Sequence, residues 1–365
     1  MPAKQSGGRA RGIEIKEFVL ANAAQHPNDL PATVAKRFGI SRQAAHKHIR
    51  KLVSVGALSA RGNTRHHSYE IPERQWSRRY SLPALAEHQV WYEDVKPLMK
   101  DLAHNVLEIW EFCFTEMLNN AIDHSGGTDV LVTLTENGGV TRISLIDDGI
   151  GIFRKIKESL DLPDERHSVL ELAKGKFTTD PANHTGQGIF FTSRVLDNFA
   201  ILSGDVYFSH AFTKEEDWIL GDGVALRGEG GGTGAAKVSG SGTNVVMVLD
   251  DHTTRTCEEV FTKFSSQGDC RFTKTTVPVR LMQYGQERLV SRSQAKILLS
   301  RLERFEVVIF DFSGVESIGQ AFADQVFRVF AASHPHIEIL AINKNESIER
   351  SIAAVRAEPS PVSWR

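Results

Sequence analysis

The segment FTEMLNNAIDHS, residues 114–125, has two unlike faces once it is wound as a helix. Glu116, Asn119, Asn120, Asp123 and His124 share one stripe, and Phe114, Met117, Leu118, Ala121 and Ile122 share the opposite one. A fold containing this helix has to bury the apolar stripe. The polar stripe is unlike an ordinary solvated face, which carries Lys and Glu pairs. Here a carboxylate is followed one turn later by two amides, a second carboxylate and an imidazole. An oxygen-rich face of this kind suits a hydrated Mg²⁺ held against a phosphate tail.

Three later segments supply what a nucleotide pocket needs and this helix lacks. In SLIDDGIGIF, 144–153, an apolar strand ends in Asp147 and Asp148, and Gly149 and Gly151 let the backbone turn tightly toward a ligand. A buried Asp at such a strand end can accept the exocyclic amine of adenine. In HTGQGIFFTSRVLDNF, 184–199, Gly186 and Gly188 precede an apolar-periodic helix and expose backbone N–H groups to an anion. In SGTNVVMVL, 241–249, Gly242 and Thr243 open a strand that can reach the base edge from the far side.

In their order and spacing these segments resemble the GHKL ATP-binding fold shared by gyrase, the ninety-kilodalton heat-shock chaperones, MutL-type repair proteins and histidine kinases. The resemblance covers roughly residues 85–250. It implies ATP and Mg²⁺ as cofactors. It further implies Glu116 as the residue polarising the attacking water, Asn120 as the Mg²⁺ ligand and Asp147 as the adenine reader. Asp123 joins the cofactor-binding set, Gly149 and Gly151 complete the second motif, Gly186 and Gly188 the third, and Thr243 the last. Residues 153–185 would be a lid over the phosphates, with Lys174, Lys176 and His184 as its phosphate partners. A different phosphate loop is excluded at GEGGGTGAAK, 228–237. There Ala235 and Ala236 precede Lys237, and no hydroxyl follows the lysine. Residues 221–242 read instead as a flexible connection between strands.

The first 75 residues carry 13 Lys and Arg against five Asp and Glu, within a chain of formal net charge −2. PATVAKRFGISRQAAHKHIRKLVSVGAL reads as a helix from Pro31, a turn at Gly39 and Ile40, and a second helix with Ser41 as N-cap. Ala35, Ile40, Ala45, Ile49 and Leu52 pack inside. Arg42, Gln43, His46, Lys47 and Arg50 are left outward, and a two-stranded wing over 58–71 brings Arg61, Arg65, His66 and His67 near its tip. The segment resembles the winged helix-turn-helix domains of bacterial transcription regulators. That resemblance implies double-stranded DNA as a partner, contacted by Arg42, Gln43, His46, Lys47, Arg50, Arg61 and Arg65.

After about residue 270, TVPVRLM, VVIFDF and IEILAIN read as apolar strands. Helical patterns at 291–305, 319–333 and 345–356 separate and follow them, which predicts a small sheet flanked by helices. VVIFDFSGVESIGQAFADQVFRVF resembles a STAS-like domain, the fold of anti-sigma-factor antagonists. Where those antagonists carry a phosphorylated serine this chain has Gly319, Gln320 and Ala321, with Ser317 nearby. The resemblance implies a signalling module able to bind a protein partner.

The expected fold class is multidomain α+β: a winged helix-turn-helix over 1–75, a GHKL α/β sandwich of the Bergerat type over 76–270, and a STAS-like α/β domain over 271–365. With 365 residues, 41% hydrophobic and 24% charged, two or three cores are expected. No run approaches the roughly 18 apolar residues of a membrane span, and the first residues lack the apolar core of a secretory signal. Cys113, Cys257 and Cys270 are too scattered for a disulfide framework or a zinc site, so a reducing cytoplasm and no membrane partner are expected. Two functions remain open. One is an ATP-switched DNA-binding regulator, working as a homodimer on two-fold sites. The other is a protein kinase related to histidine kinases or anti-sigma serine kinases, with His88, His104 or Ser317 as acceptor.

Overall fold

A computed structural model describes residues 6–23, 25–54, 58–63, 66–70, 72–177, 186–212, 217–222, 242–265, 272–283 and 288–357. The chain divides into two units. One takes residues 1–78, 133–143 and 248–253, and the other 79–132, 144–247 and 254–365.

The first unit begins with α1 (Ser6–Ala23), α2 (Leu30–Phe38) and α3 (Arg42–Ser54). Gly39 ends α2 at φ 61°, a left-handed conformation that glycine adopts without a Cβ penalty. Ser41 then caps α3, its Oγ accepting from the Ala44 N–H at 3.2 Å. Ile15, Val19, Leu30, Val34, Ala45, Ile49, Leu52, Leu58 and Tyr69 form one buried cluster, with Ala35 and Ile40 packed partly buried against it. The hairpin β1 (Ser59–Asn63) and β2 (His66–Glu70) follows, antiparallel with Gly62 opposite His67.

Next come β3 (Arg74–Ser81) and α4 (Glu87–Gln89), which continues through a π turn at Val90–Val95 and a 3₁₀ turn at Lys96–Met99. The long α5 (His104–His124) leads into β4 (Asp129–Asn137) and β5 (Val140–Asp147), then α6 (Ile152–Leu160), α7 (Glu165–Lys174) and α8 (Gly188–Val195). The strands β6 (Asn198–Ser203), β7 (Val206–Ala211), β8 (Asp217–Asp222) and β9 (Thr243–Asp250) complete a seven-stranded sheet of order β3-β4-β5-β9-β6-β7-β8. Burial alternates along β5 and β6, the period of a sheet covered on one face. Helix α5 buries Val106, Ile109, Trp110, Cys113, Phe114, Met117, Leu118 and Ala121, and so turns its polar stripe away from the core.

After α9 (Cys257–Lys263) the chain alternates β10 (Lys274–Pro278), α10 (Arg292–Leu299), β11 (Val307–Asp311), α11 (Gln320–Asp324), a π turn, α12 (Ala331–Ser333), β12 (Glu338–Ile342) and α13 (Glu346–Ala357). The three strands are parallel in the order β10-β11-β12, joined by helices as parallel pairs require. The helix expected over 291–305 stops at Leu299, because Arg301 turns left-handed at φ 64° before a 3₁₀ turn at Leu302–Arg304. Phe190 and Phe191 of α8 pack tilted against Phe272, with ring centres 4.4 and 5.1 Å away, and Phe272 meets Phe305 at 5.3 Å. One aromatic cluster therefore serves both α8 and the three-stranded sheet. Among the described residues no helix is long and apolar enough to cross a membrane. The connection expected over 221–242 lies, from 223 to 241, outside the described residues.

Candidate functional site

The polar stripe of α5 faces a cavity of about 300 Å³, within the size range of small-molecule sites. Of that stripe, Glu116, Asn120 and His124 line it, spaced four residues apart on one line of the helix. Asp147, Gly186, Gly188 and Thr243 line it too, together with apolar walls that include Leu145, Ile152, Leu172, Ile201 and Val245. Asp123 is on the stripe but not in the lining, since three residues beyond Asn120 the helix has turned its side chain to solvent.

Asp147 ends β5 buried, and its Oδ1 accepts the Gly149 N–H at 2.9 Å and the Thr243 N–H at 3.2 Å. Burial raises its pKa above the ordinary aspartate value, and the two amides and Thr243 oppose that shift. Thr243 is held in turn by its Oγ1, which accepts the Ile152 N–H at 3.1 Å. Gly149 and Gly151 shape this end without lining it. Gly151 stands at φ 91° as the residue before α6, and a Cβ there would lie 2.6 Å from the Ser203 hydroxyl. Asp148 points elsewhere and accepts from the Thr128 and Asp129 amides at 2.7 and 2.9 Å.

At the other end, α8 begins against Glu116. A Cβ on Gly188 would collide with the Glu116 carboxylate, so with any other residue the carboxylate or the start of the helix would have to shift. A carboxylate and a set of N–H groups without intrahelical partners thus border the same space.

Lys174 and Lys176 do not reach the cavity. Lys174 is buried, with its Nζ 2.5 Å from the Glu171 carboxylate and donating to the Ile297 and Ser300 carbonyls at 3.1 and 3.0 Å. All three ammonium donors are directed into the protein, as a buried lysine requires. Arg301 also approaches Glu171, at 3.7 Å, and the Thr275 hydroxyl donates to the Lys174 carbonyl at 2.7 Å. Lys176 donates to the Arg304 carbonyl at 2.7 Å and lies 4.5 Å from the centre of the Phe305 ring. The end of α7 is therefore fastened to the β10–β11 module. His184 lies outside the described residues. Lys155, which the motif reading passes over, does line the cavity. Its signal is its place in the first turn of α6, four residues after Gly151.

On α3, Arg42, Gln43, Lys47 and Arg50 are exposed, while His46 is half-buried with its ring 3.4 Å from the Tyr69 hydroxyl. Arg61 is exposed and pairs with Glu70 at 3.2 Å, and Arg65 lies outside the described residues. His88 sits in the three-residue α4, and His104 opens α5 with 86% of its side chain exposed. In the β10–β11–β12 module the Asp311 carboxylate accepts from the Ser313 N–H, the Ser313 hydroxyl and the Asn343 amide at 2.8–2.9 Å. Gly319 is the residue before α11, so no hydroxyl opens that helix.

Residues 109–253 match the family model of the histidine kinase-, DNA gyrase B- and HSP90-like ATPases. Over this stretch, less than half of its length, the chain is similar to the GHKL ATPases. Residues 294–349 match the STAS-like domain of unknown function (DUF4325), which contains β11, β12 and their helices. No curated protein matches the chain. The cavity described above lies within the GHKL match. In the lining, Asn120 offers an amide oxygen, a donor of the kind Mg²⁺ takes alongside water and phosphate oxygens.

Proposed function

We propose that the chain is an ATP-binding regulator that hydrolyses nucleotide slowly and contacts double-stranded DNA through a winged helix formed by α2, α3 and the β1–β2 hairpin. The convergence of Glu116, Asn120, Asp147, Gly188 and Thr243 on one cavity carries the nucleotide part. Asp147 Oδ1 already accepts two amides, so Oδ2 is the atom for the adenine amine. The Asn120 amide oxygen would hold Mg²⁺, whose charge offsets that of the phosphates. The α8 N–H groups receive the distal phosphates, and Glu116 beside them orients the attacking water.

The DNA part is supported by the excess of positive charge in the first 75 residues and by the exposure of Arg42, Lys47 and Arg50 along α3. The lid expected over 153–185 has a different supporting role here. Its α7 portion is fastened to the STAS-like module, so closure moves α7 and that module together. ATP drives such a movement only through a higher affinity for the closed state.

A protein-kinase reading keeps one observation in its favour, the exposure of His104 at the start of α5 beside the GHKL match. Incubation with γ-labelled ATP and Mg²⁺, with Glu116→Ala alongside, separates the two. Free labelled phosphate, absent with Glu116→Ala, is the expected result. Label retained on the protein would establish the kinase and direct attention to His88, His104 and Ser317.

A further inference from the structure

We infer that Lys155 meets the phosphate nearest the ribose of the bound nucleotide, and so performs the binding task expected of Lys174 and Lys176. The inference rests on the ATP reading of the cavity and adds to it the residue that distinguishes nucleotide from nucleoside.

Lys155 is the lysine in the cavity lining among the described residues, and its Nζ donates to the His124 carbonyl at 2.6 Å. That bond fixes the ammonium at the C-terminal end of the α5 stripe. Glu116, at the opposite end, lies eight residues away, about 12 Å along the helix axis. The α8 N-terminus abuts Glu116, so the distal phosphates belong at that end. The base end lies close to Lys155: the Ile150 N–H donates to the Ser125 carbonyl at 3.0 Å, and Asp147 is tied to Gly149. A nucleotide with its base at Asp147 and its last phosphate at Gly188 passes its first phosphate by Lys155.

The surroundings suit that role. One of the three ammonium donors is given to a carbonyl, leaving the geometry set and the charge incompletely neutralised. Asp123 is the carboxylate that acts on it, and it is exposed, so its field is screened by water. Burial lowers the Lys155 pKa somewhat, which an incoming phosphate would reverse. A lysine that served only to hold the end of α5 would have no need of a place in the cavity wall.

The test is the affinity of the full chain for adenosine, ADP and ATP in Mg²⁺, measured by titration calorimetry for wild type, Lys155→Met and Lys155→Arg. In Lys155→Met, ADP and ATP are expected to lose about tenfold or more in affinity, as for a charge-assisted bond, and adenosine to stay within about twofold. Lys155→Arg should retain most of the phosphate-dependent gain. Equal loss for all three ligands would reduce Lys155 to a structural prop, and loss with ATP alone would move it to the distal phosphates. Either result, or no loss at all, overturns the assignment. A wild-type chain that binds none of the three overturns the ATP reading itself, and the two failures are thereby distinguished.

Discussion

The Lys174 ammonium lies 2.5 Å from the Glu171 carboxylate one turn earlier on α7, and each side chain is 2% exposed. A charge pair so placed is held by its mutual attraction and by the Ile297 and Ser300 carbonyls. Removing Lys174 leaves Glu171 buried with its short partner gone and the longer Arg301 contact at 3.7 Å in its place. Lys174→Met is expected to destabilise the chain by about 3–5 kcal/mol, and Lys174→Met with Glu171→Leu by considerably less. Calorimetric unfolding of the two variants measures the difference. At temperatures where Lys174→Met stays folded its ATP affinity should match wild type, and a tenfold loss would return Lys174 to the phosphates.

Gly188→Ala places a methyl against the Glu116 carboxylate. Either Glu116 or the start of α8 must shift, and hydrolysis should fall by at least about tenfold, because small misplacements of reacting groups are costly. Glu116→Ala should retain nucleotide binding and lose turnover. Single-turnover assays alongside equilibrium binding separate the two effects, and full hydrolysis in Glu116→Ala would remove it as the water-orienting residue.

His210 is buried, and burial beside Arg194 depresses its pKa from 6.5 to about 4, although its Nδ1 lies 2.6 Å from the Ser193 carbonyl. The unfolded chain binds this proton at higher pH than the folded one. The stability that the neutral ring provides is therefore complete above about pH 6.5 and is lost as pH falls toward 4. Asp251 has the opposite sign. Burial raises its pKa from the ordinary 3.8 to about 6, so its contribution is complete below about pH 3.8 and is lost as pH rises through 6. Urea unfolding from pH 7.5 to 4.5 should give a flatter acid loss for His210→Gln than for wild type and a steeper one for Asp251→Asn.

If α3 meets DNA, Lys47→Ala and Arg50→Ala should each weaken binding similarly across sequences. Each should also reduce the slope of log affinity against log salt by about one. Filter binding over a salt series reads this directly, and an unchanged slope in both variants would argue for a protein-docking role of the helix pair.

The cavity within the GHKL match is legible from residue type and spacing because its parts are local. A stripe on α5, a glycine turn after β5 and a glycine before α8 each obey short-range rules, and the N-cap Ser41 did likewise for α3. Helix geometry also explains why Asp123 is on the stripe yet outside the lining, since a stripe drawn from neighbours three and four residues apart is wider than the cavity that α5 faces. The inward placement of Lys174 is not legible, for another reason. Its partners Ile297 and Ser300 lie more than 120 residues later, and no local pattern announces a carbonyl. The nearer clue was Glu171 at i−3 in a helix otherwise apolar around it, with Val169, Leu170, Leu172 and Ala173 all buried.

The bond from Thr275 to the Lys174 carbonyl joins two modules encoded on a single chain. Partners on separate chains meet as often as their abundance dictates, whereas tethered ones remain at a constant effective concentration. If the cavity binds ATP as proposed, a signal passing from it through α7 to the STAS-like module would follow the nucleotide supply and be indifferent to how many copies of the protein a cell contains.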